Sequence, residues 1–174
     1  MTGPELPARC LPTALSKEHT TMKNWLQSMA TGMLLERPAQ KLTLDEHAAL
    51  LESSGTRLAQ RYSAAPDTES NREHLSHIIG IERWGQSRLE VFLGAPLEVD
   101  DYVPYRPADD LGWAALQDEF KATRERTVAL ARELAAANLD TSPTVPHNQY
   151  GKLTAYAWLH YLDTHASLES ETIE

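Results

Sequence analysis

At 174 residues the chain is long enough for one domain with a proper core and too short for two comfortable ones. A formal net charge of −9, with no basic run to build a local patch, argues against nucleic acid or an anionic membrane surface as a partner. No apolar run approaches the ~20 residues of a membrane-spanning helix; the N-terminus lacks the basic start and apolar core of a secretory signal, and a single cysteine, Cys10, fits a reducing cytoplasm.

Residues 1–18 hold three prolines and little periodicity, and read as an extended lead-in. From about 20 to 36, Met22, Trp25, Leu26, Met29 and Met33 keep helical spacing, which predicts a short amphipathic helix ended by Pro38. A methionine-rich stripe of this kind is adaptable packing, for the main domain or a second subunit. Residues 1–40 are thus expected to be an N-terminal extension, and 41–174 the domain proper.

Thr43 and Glu46 form a capping-box pattern that opens the next helix, near 43–64. Leu44, Ala48, Leu51, Gly55, Leu58 and Tyr62 supply its seam. A second such pattern, Ser70 with Glu73, predicts a helix near 70–94. Its apolar residues, from Leu75 through Ile78, Ile79, Ile81 and Trp84 to Leu93, cover more than half the circumference, so it must be contacted on two sides. His74 falls in the middle of that face, His77 on its edge and Glu82 within it. Geometry does not choose between the two histidines.

Residues 95–108 hold three prolines and break the periodicity. This is too long for a tight turn between antiparallel neighbours and suits a crossover along a bundle. Asp109 or Asp110 can then cap a helix near 109–137, with Trp113, Leu116, Phe120, Thr123, Thr127, Leu130 and Leu134 as its seam. Residues 141–148, with Pro143 and Pro146, read as a turn. The last helix, near 152–172, carries Thr154, Trp158, Tyr161, His165, Glu169 and Ile173 on one stripe. His165 and Glu169 therefore point inward one turn apart. Such a pair can place an imidazole nitrogen and a carboxylate oxygen on one metal ion; the plainer alternative is a core histidine hydrogen-bonded to an acid. His160 lies on another face and is expected to be solvent-exposed. No strand-like alternation of useful length appears, and no phosphate loop, CxxC pair or GxSxG elbow. The expected fold is an all-α four-helix bundle with an extra N-terminal helix, built as two helical hairpins joined by a crossover.

Three segments carry a resemblance: HIIGIERW from His77 to Trp84, HNQYGKLT from His147 to Thr154, and WLHYLDTHASLESETI from Trp158 to Ile173. Together they resemble the DinB-like (damage-inducible protein B) family, over roughly residues 43–174. The resemblance implies up-down-down-up topology and a divalent metal between helices, held by one histidine of the second bundle helix and two, four residues apart, of the last. Carried over, these fall on His77, with Glu82 at the often acidic position five residues on, then on His165, and on Glu169 in place of the third histidine. Two imidazoles and one carboxylate suit zinc, nickel or non-haem iron. Without metal, the same residues can form a buried ion pair. The resemblance also implies thiol-dependent chemistry, because a divalent cation favours the reactive thiolate. A small thiol and an electrophile are then the partners, with transfer or a hydrolytic variant as the reaction. Tyr102, Tyr105 and Arg106 can line the entrance or simply pack the crossover; His147 can sit at the mouth or tie its own turn. The competing class is a non-catalytic, stress-associated bundle with a degenerate metal site, in which the Met and Trp stripe serves homodimerisation.

Overall fold

The computed structural model describes residues 31–138 and 142–174. Met22, Trp25, Leu26 and Met29 lie outside them. Met33, the described end of that stripe, is half-exposed and does not pack as expected. The helical backbone also runs through Pro38 instead of stopping before it. A π-helical turn, Gly32–Glu36, passes into a single α-helical turn, Arg37–Ala39, with Arg37 N–H donating to Gly32 O. Proline sits at the start of the new turn, where its missing N–H costs no hydrogen bond.

Four long helices follow. Helix α1, Leu44–Ala64, opens on the expected capping box: Thr43 Oγ1 accepts from Glu46 N, and Glu46 Oε2 from Thr43 N. Helix α2, Glu69–Phe92, is capped by Thr68, whose side chain accepts from Asn71 N; Ser70 lies inside the first turn. Helix α3, Trp113–Ala136, starts after Gly112, so neither Asp109 nor Asp110 caps it. Gly112 has extended backbone and no side-chain bond, which leaves the aspartates exposed in the preceding turn. Helix α4, Ala155–Glu169, starts later than expected, because Thr154 is its N-cap and accepts from Ala157 N. The seams are buried as spaced: Ala48, Leu51, Leu58 and Tyr62 on α1, and Trp113, Leu116, Phe120, Leu130 and Leu134 on α3.

The segment before α4 is a hairpin and not a plain turn. Strands β1, Val145–His147, and β2, Gly151–Leu153, pair antiparallel with Val145 opposite Leu153. Three residues per strand are too few to show alternation in a sequence. Gly151, at φ +77°, supplies the left-handed residue of the turn.

Side-chain pairs fix the directions. Gln117 reaches Tyr62 O and Arg132 pairs with Glu52, so α3 runs antiparallel to α1. Arg83 pairs with Glu119 and Arg126 with Glu90, so α2 and α3 run parallel. Trp84 packs on Trp158 and His77 on His165, so α4 opposes α2. The result is up-down-down-up. Close backbone approaches join α1 and α2 each to α3 and α4; the sequential pairs α1/α2 and α3/α4 face each other diagonally. The expected hairpins of adjacent helices are therefore corrected, since each helix has its long contacts with the opposite pair.

A charged cluster spans all four helices. Arg124 of α3, only 4% exposed, pairs through Nε with Glu82 of α2 at 2.9 Å and through Nη1 with Asp163 of α4 at 3.2 Å. Ser54 of α1 donates to Asp163, and Thr127 Oγ1 to Glu82 at 2.7 Å. Burial pushes the Glu82 carboxyl up, while Arg124 and Thr127 oppose that shift. Gly55 makes room for Arg124: a Cβ there would stand 2.6 Å from Arg124 Cγ. Arg124→Ala would leave two acids in the core without their cation, and should cost about 3–5 kcal/mol. Gly55→Ala should cost about 1–3 kcal/mol by overpacking. Urea unfolding midpoints check both, and an unchanged midpoint for Arg124→Ala would refute the role given to the cluster.

Candidate metal centre

Helix α2 offers His77 and helix α4 offers His165 and Glu169, one turn apart. One ligand atom from each of the three lies within 4.8 Å of the others. All three residues are half-buried. The two imidazole centroids are 5.3 Å apart, at an interplanar angle of 55°. Tyr102 of the crossover meets the His77 ring edge-on at 4.9 Å, and Tyr161 lies 5.5 Å from His165. Among the described residues, none of the three side chains is tied up in a hydrogen bond or an ion pair. The histidine–acid hydrogen bond that offered the plainer reading is absent there.

Burial pushes His165 down to about 4, helped by His77 and His147 nearby. Burial also lowers His77, while Glu169 pulls the other way. Both imidazoles are therefore neutral near pH 7, the state in which a nitrogen lone pair can bind a cation.

Beside His165 and Glu169 lies a cavity of about 340 Å³. Leu34, Leu35 and Leu168, the rings of Tyr150 and Tyr161, and Thr31 and Thr164 wall it. The turn at residues 31–39 is held over it by two ties to the hairpin and to α4. Thr31 Oγ1 donates to Tyr150 O at 2.8 Å, and the Glu36 carboxylate accepts from both Thr154 N and Thr154 Oγ1.

The remaining candidates sort by contact. His74 is half-buried and not part of the cluster, so the structure selects His77. Glu82 turns to Arg124 instead of the centre. His160 is half-buried rather than exposed and lies toward His47 of α1. Tyr105 and Arg106 do not line the cavity: Tyr105 donates to Asp100 at 2.6 Å, and Arg106 pairs with Glu73 and bonds Ser76. Asp100 also accepts from Trp84 Nε1, which pins the crossover onto α2. His147 ties its own turn, its Nδ1 accepting from Gln149 N and Tyr150 N, and is buried among Trp84, Trp158 and Tyr161. Tyr161, Thr164 and the leucines of the N-terminal turn were not anticipated at the site. Spacing places Tyr161 on the His165 stripe, but an apolar-seam reading counts its ring and overlooks its hydroxyl.

A family model described as the DinB superfamily matches residues 14–168. The match begins well before Thr43, and so takes in the turn that walls the cavity. No curated protein and no solved structure matches the chain. Among the described residues no helix is long and apolar enough to cross a membrane.

His147 and His165 are both held to about 4 by burial, against about 6.5 for a free histidine. Between those values the unfolded chain binds more protons than the folded one, so stability falls as pH falls. In chelator-treated protein the melting temperature should be level above pH 7 and decline from pH 6.5 toward 4. Replacing both residues, as His147→Gln with His165→Gln, should flatten the upper part of that decline. A wild-type profile flat down to pH 5 would contradict it.

Proposed function

We propose that this chain, which belongs to the DinB superfamily, is a divalent-metal protein that uses His77, His165 and Glu169 as ligands. The activity proposed is transfer of a small thiol to an electrophile, or a related hydrolysis. The observation that carries the reading is the convergence of three donor atoms, two imidazole nitrogens and one carboxylate oxygen, within 4.8 Å of one another on two helices, none of them hydrogen-bonded to a described residue. The donor set fits zinc, nickel or iron, and Glu169 makes it harder and more anionic than three imidazoles would be. A divalent ion held there would supply Lewis acidity that favours the thiolate form of a small thiol near neutral pH.

The chain's own residues do the rest. Tyr102 and Tyr161 pack against the two ligand rings and restrict their orientation. Buried Leu35, with the exposed Leu34 and Leu168 at the rim, gives the centre an apolar wall on one side. The cavity gives an electrophile room beside the ligands without opening the core. Holding the two reactants side by side raises their effective concentration.

Protein prepared without a histidine tag should bind one equivalent of zinc or nickel near neutral pH. His165→Ala should abolish that binding with unchanged helicity, because the apolar seam of α4 stays intact. Glu169→Gln should weaken it by more than about tenfold, through loss of the only anionic ligand. Metal analysis after dialysis, with circular dichroism alongside, reads these outcomes. No binding by the wild type at saturating metal would remove the metal reading and favour a non-catalytic bundle.

A further inference from the structure

The wall of the cavity says what it can hold. Among the described residues it contains no lysine and no arginine, and Glu169 is its one acid. With no ion at the ligands, an anionic ligand would meet a carboxylate there and no compensating lysine or arginine, an unfavourable arrangement. The rest of the wall among the described residues is three leucines, two tyrosine rings, two threonines and the His165 ring. At about 340 Å³ the space lies at the small end for ligand sites, enough for a molecule of one or two rings.

Its polar groups narrow the choice further. The Thr31 hydroxyl is already committed to Tyr150 O. Tyr161 is only 8% exposed, yet its hydroxyl makes no hydrogen bond to any described residue and is not sealed off among the enclosed polar atoms. Its electrostatic neighbours are Tyr150 and Glu169, which share the cavity wall. A buried phenol in the wall of a largely apolar cavity, with no described residue to take its O–H, is a donor open to an acceptor.

We propose that this cavity takes an uncharged, largely apolar small molecule carrying one hydrogen-bond acceptor, such as a carbonyl, and that Tyr161 Oη–H donates to that acceptor. The inference deepens the metal-centre reading, on which it rests for whatever chemistry follows binding. Recognition itself depends only on the walls.

Three probes of equal size separate the contributions: acetophenone, neutral with an acceptor; ethylbenzene, neutral without one; and benzoate, anionic. Affinities are measured on the full chain by ligand-observed nuclear magnetic resonance, in the presence of chelator. Acetophenone should bind about tenfold more tightly than ethylbenzene, and benzoate most weakly. Tyr161→Phe should bring acetophenone down to the ethylbenzene level and leave ethylbenzene unchanged. Leu168→Glu, a change at an exposed position, should weaken both neutral probes and so locate them in this cavity. Benzoate binding as tightly as acetophenone would overturn the proposal. So would an acetophenone preference that survives Tyr161→Phe, or neutral-probe binding that ignores Leu168→Glu. Metal titration of the same protein reads the other question separately: probe binding without metal binding keeps this inference and removes the metal centre, and metal binding without probe binding does the reverse.

Discussion

The ion cluster around Arg124 is the constraint from which the arrangement of the bundle follows. A guanidinium buried among helices must find carboxylates, and it finds one on α2 and one on α4. Apolar seams alone permit a helix to rotate or slide by a residue at little cost, since one leucine replaces another. A fork of charged donors does not permit it, because a displaced partner leaves a charge unpaired in a medium of low dielectric. The cost of burying these charges is offset only when all of them meet. Tyr62 Oη, Glu82 Oε2 and Arg124 Nη2 have no hydrogen-bond partner among the described residues, so the cluster is better explained by the register it imposes than by net stability.

That register reaches the candidate centre through helical geometry. Asp163 lies two residues from both Tyr161 and His165, about 200° around the helix. Holding Asp163 toward α1 and α3 therefore turns Tyr161 and His165 toward α2. Glu82 does the same for α2, where His77 lies five residues earlier, about 140° round. Gly85 completes the fit: Leu162 comes so close that a Cβ at Gly85 would stand 2.4 Å from it. One charged residue on the far side of each helix, Glu82 on α2 and Asp163 on α4, thus orients the donor atoms on the near side. Site and core are one packing problem.

How much of this was legible in the sequence depends on the range of the interaction concerned. The Thr43 and Glu46 box spans three residues and was readable, as were the seams that repeat every three or four. Ser70 and Asp110 are as plausible as caps as Thr68 and Gly112, because a cap is settled by where the preceding loop delivers the chain. The loop before α3 is in turn held by distant residues: Asp100 bonds Trp84 of α2 and Tyr105, and its carbonyl accepts from Asn148 of the hairpin turn. His165 and Glu169 were visible as a pair because one helix carries both. His77 could not be separated from His74 by periodicity; the family resemblance chose it, and the fold brings it to the pair. The Met33 stripe offered packing of this stretch on the domain, but the part residues 31–39 take in walling the site was hidden, since it rests on Glu36 reaching Thr154 across most of the chain.

Glu169, where the family resemblance implies a third imidazole, sets the electrostatics of the candidate centre in a definite direction. Three neutral imidazoles make an uncharged donor set, whereas His77, His165 and Glu169 carry one negative charge when the acid is ionised. The burial that lowers both histidines works against the simplest way of balancing that charge, a proton on one ring. No arginine or lysine pairs with Glu169 among the described residues, although Arg124, Arg88 and Arg106 each have an acid partner close by. This bundle matches its buried cations to anions elsewhere and leaves Glu169 unmatched beside two nitrogen donors. An anionic donor set with neutral imidazoles, and no lysine or arginine paired with it among the described residues, favours a divalent ion over a proton as its partner, while without that ion the same charge disfavours a second anion alongside.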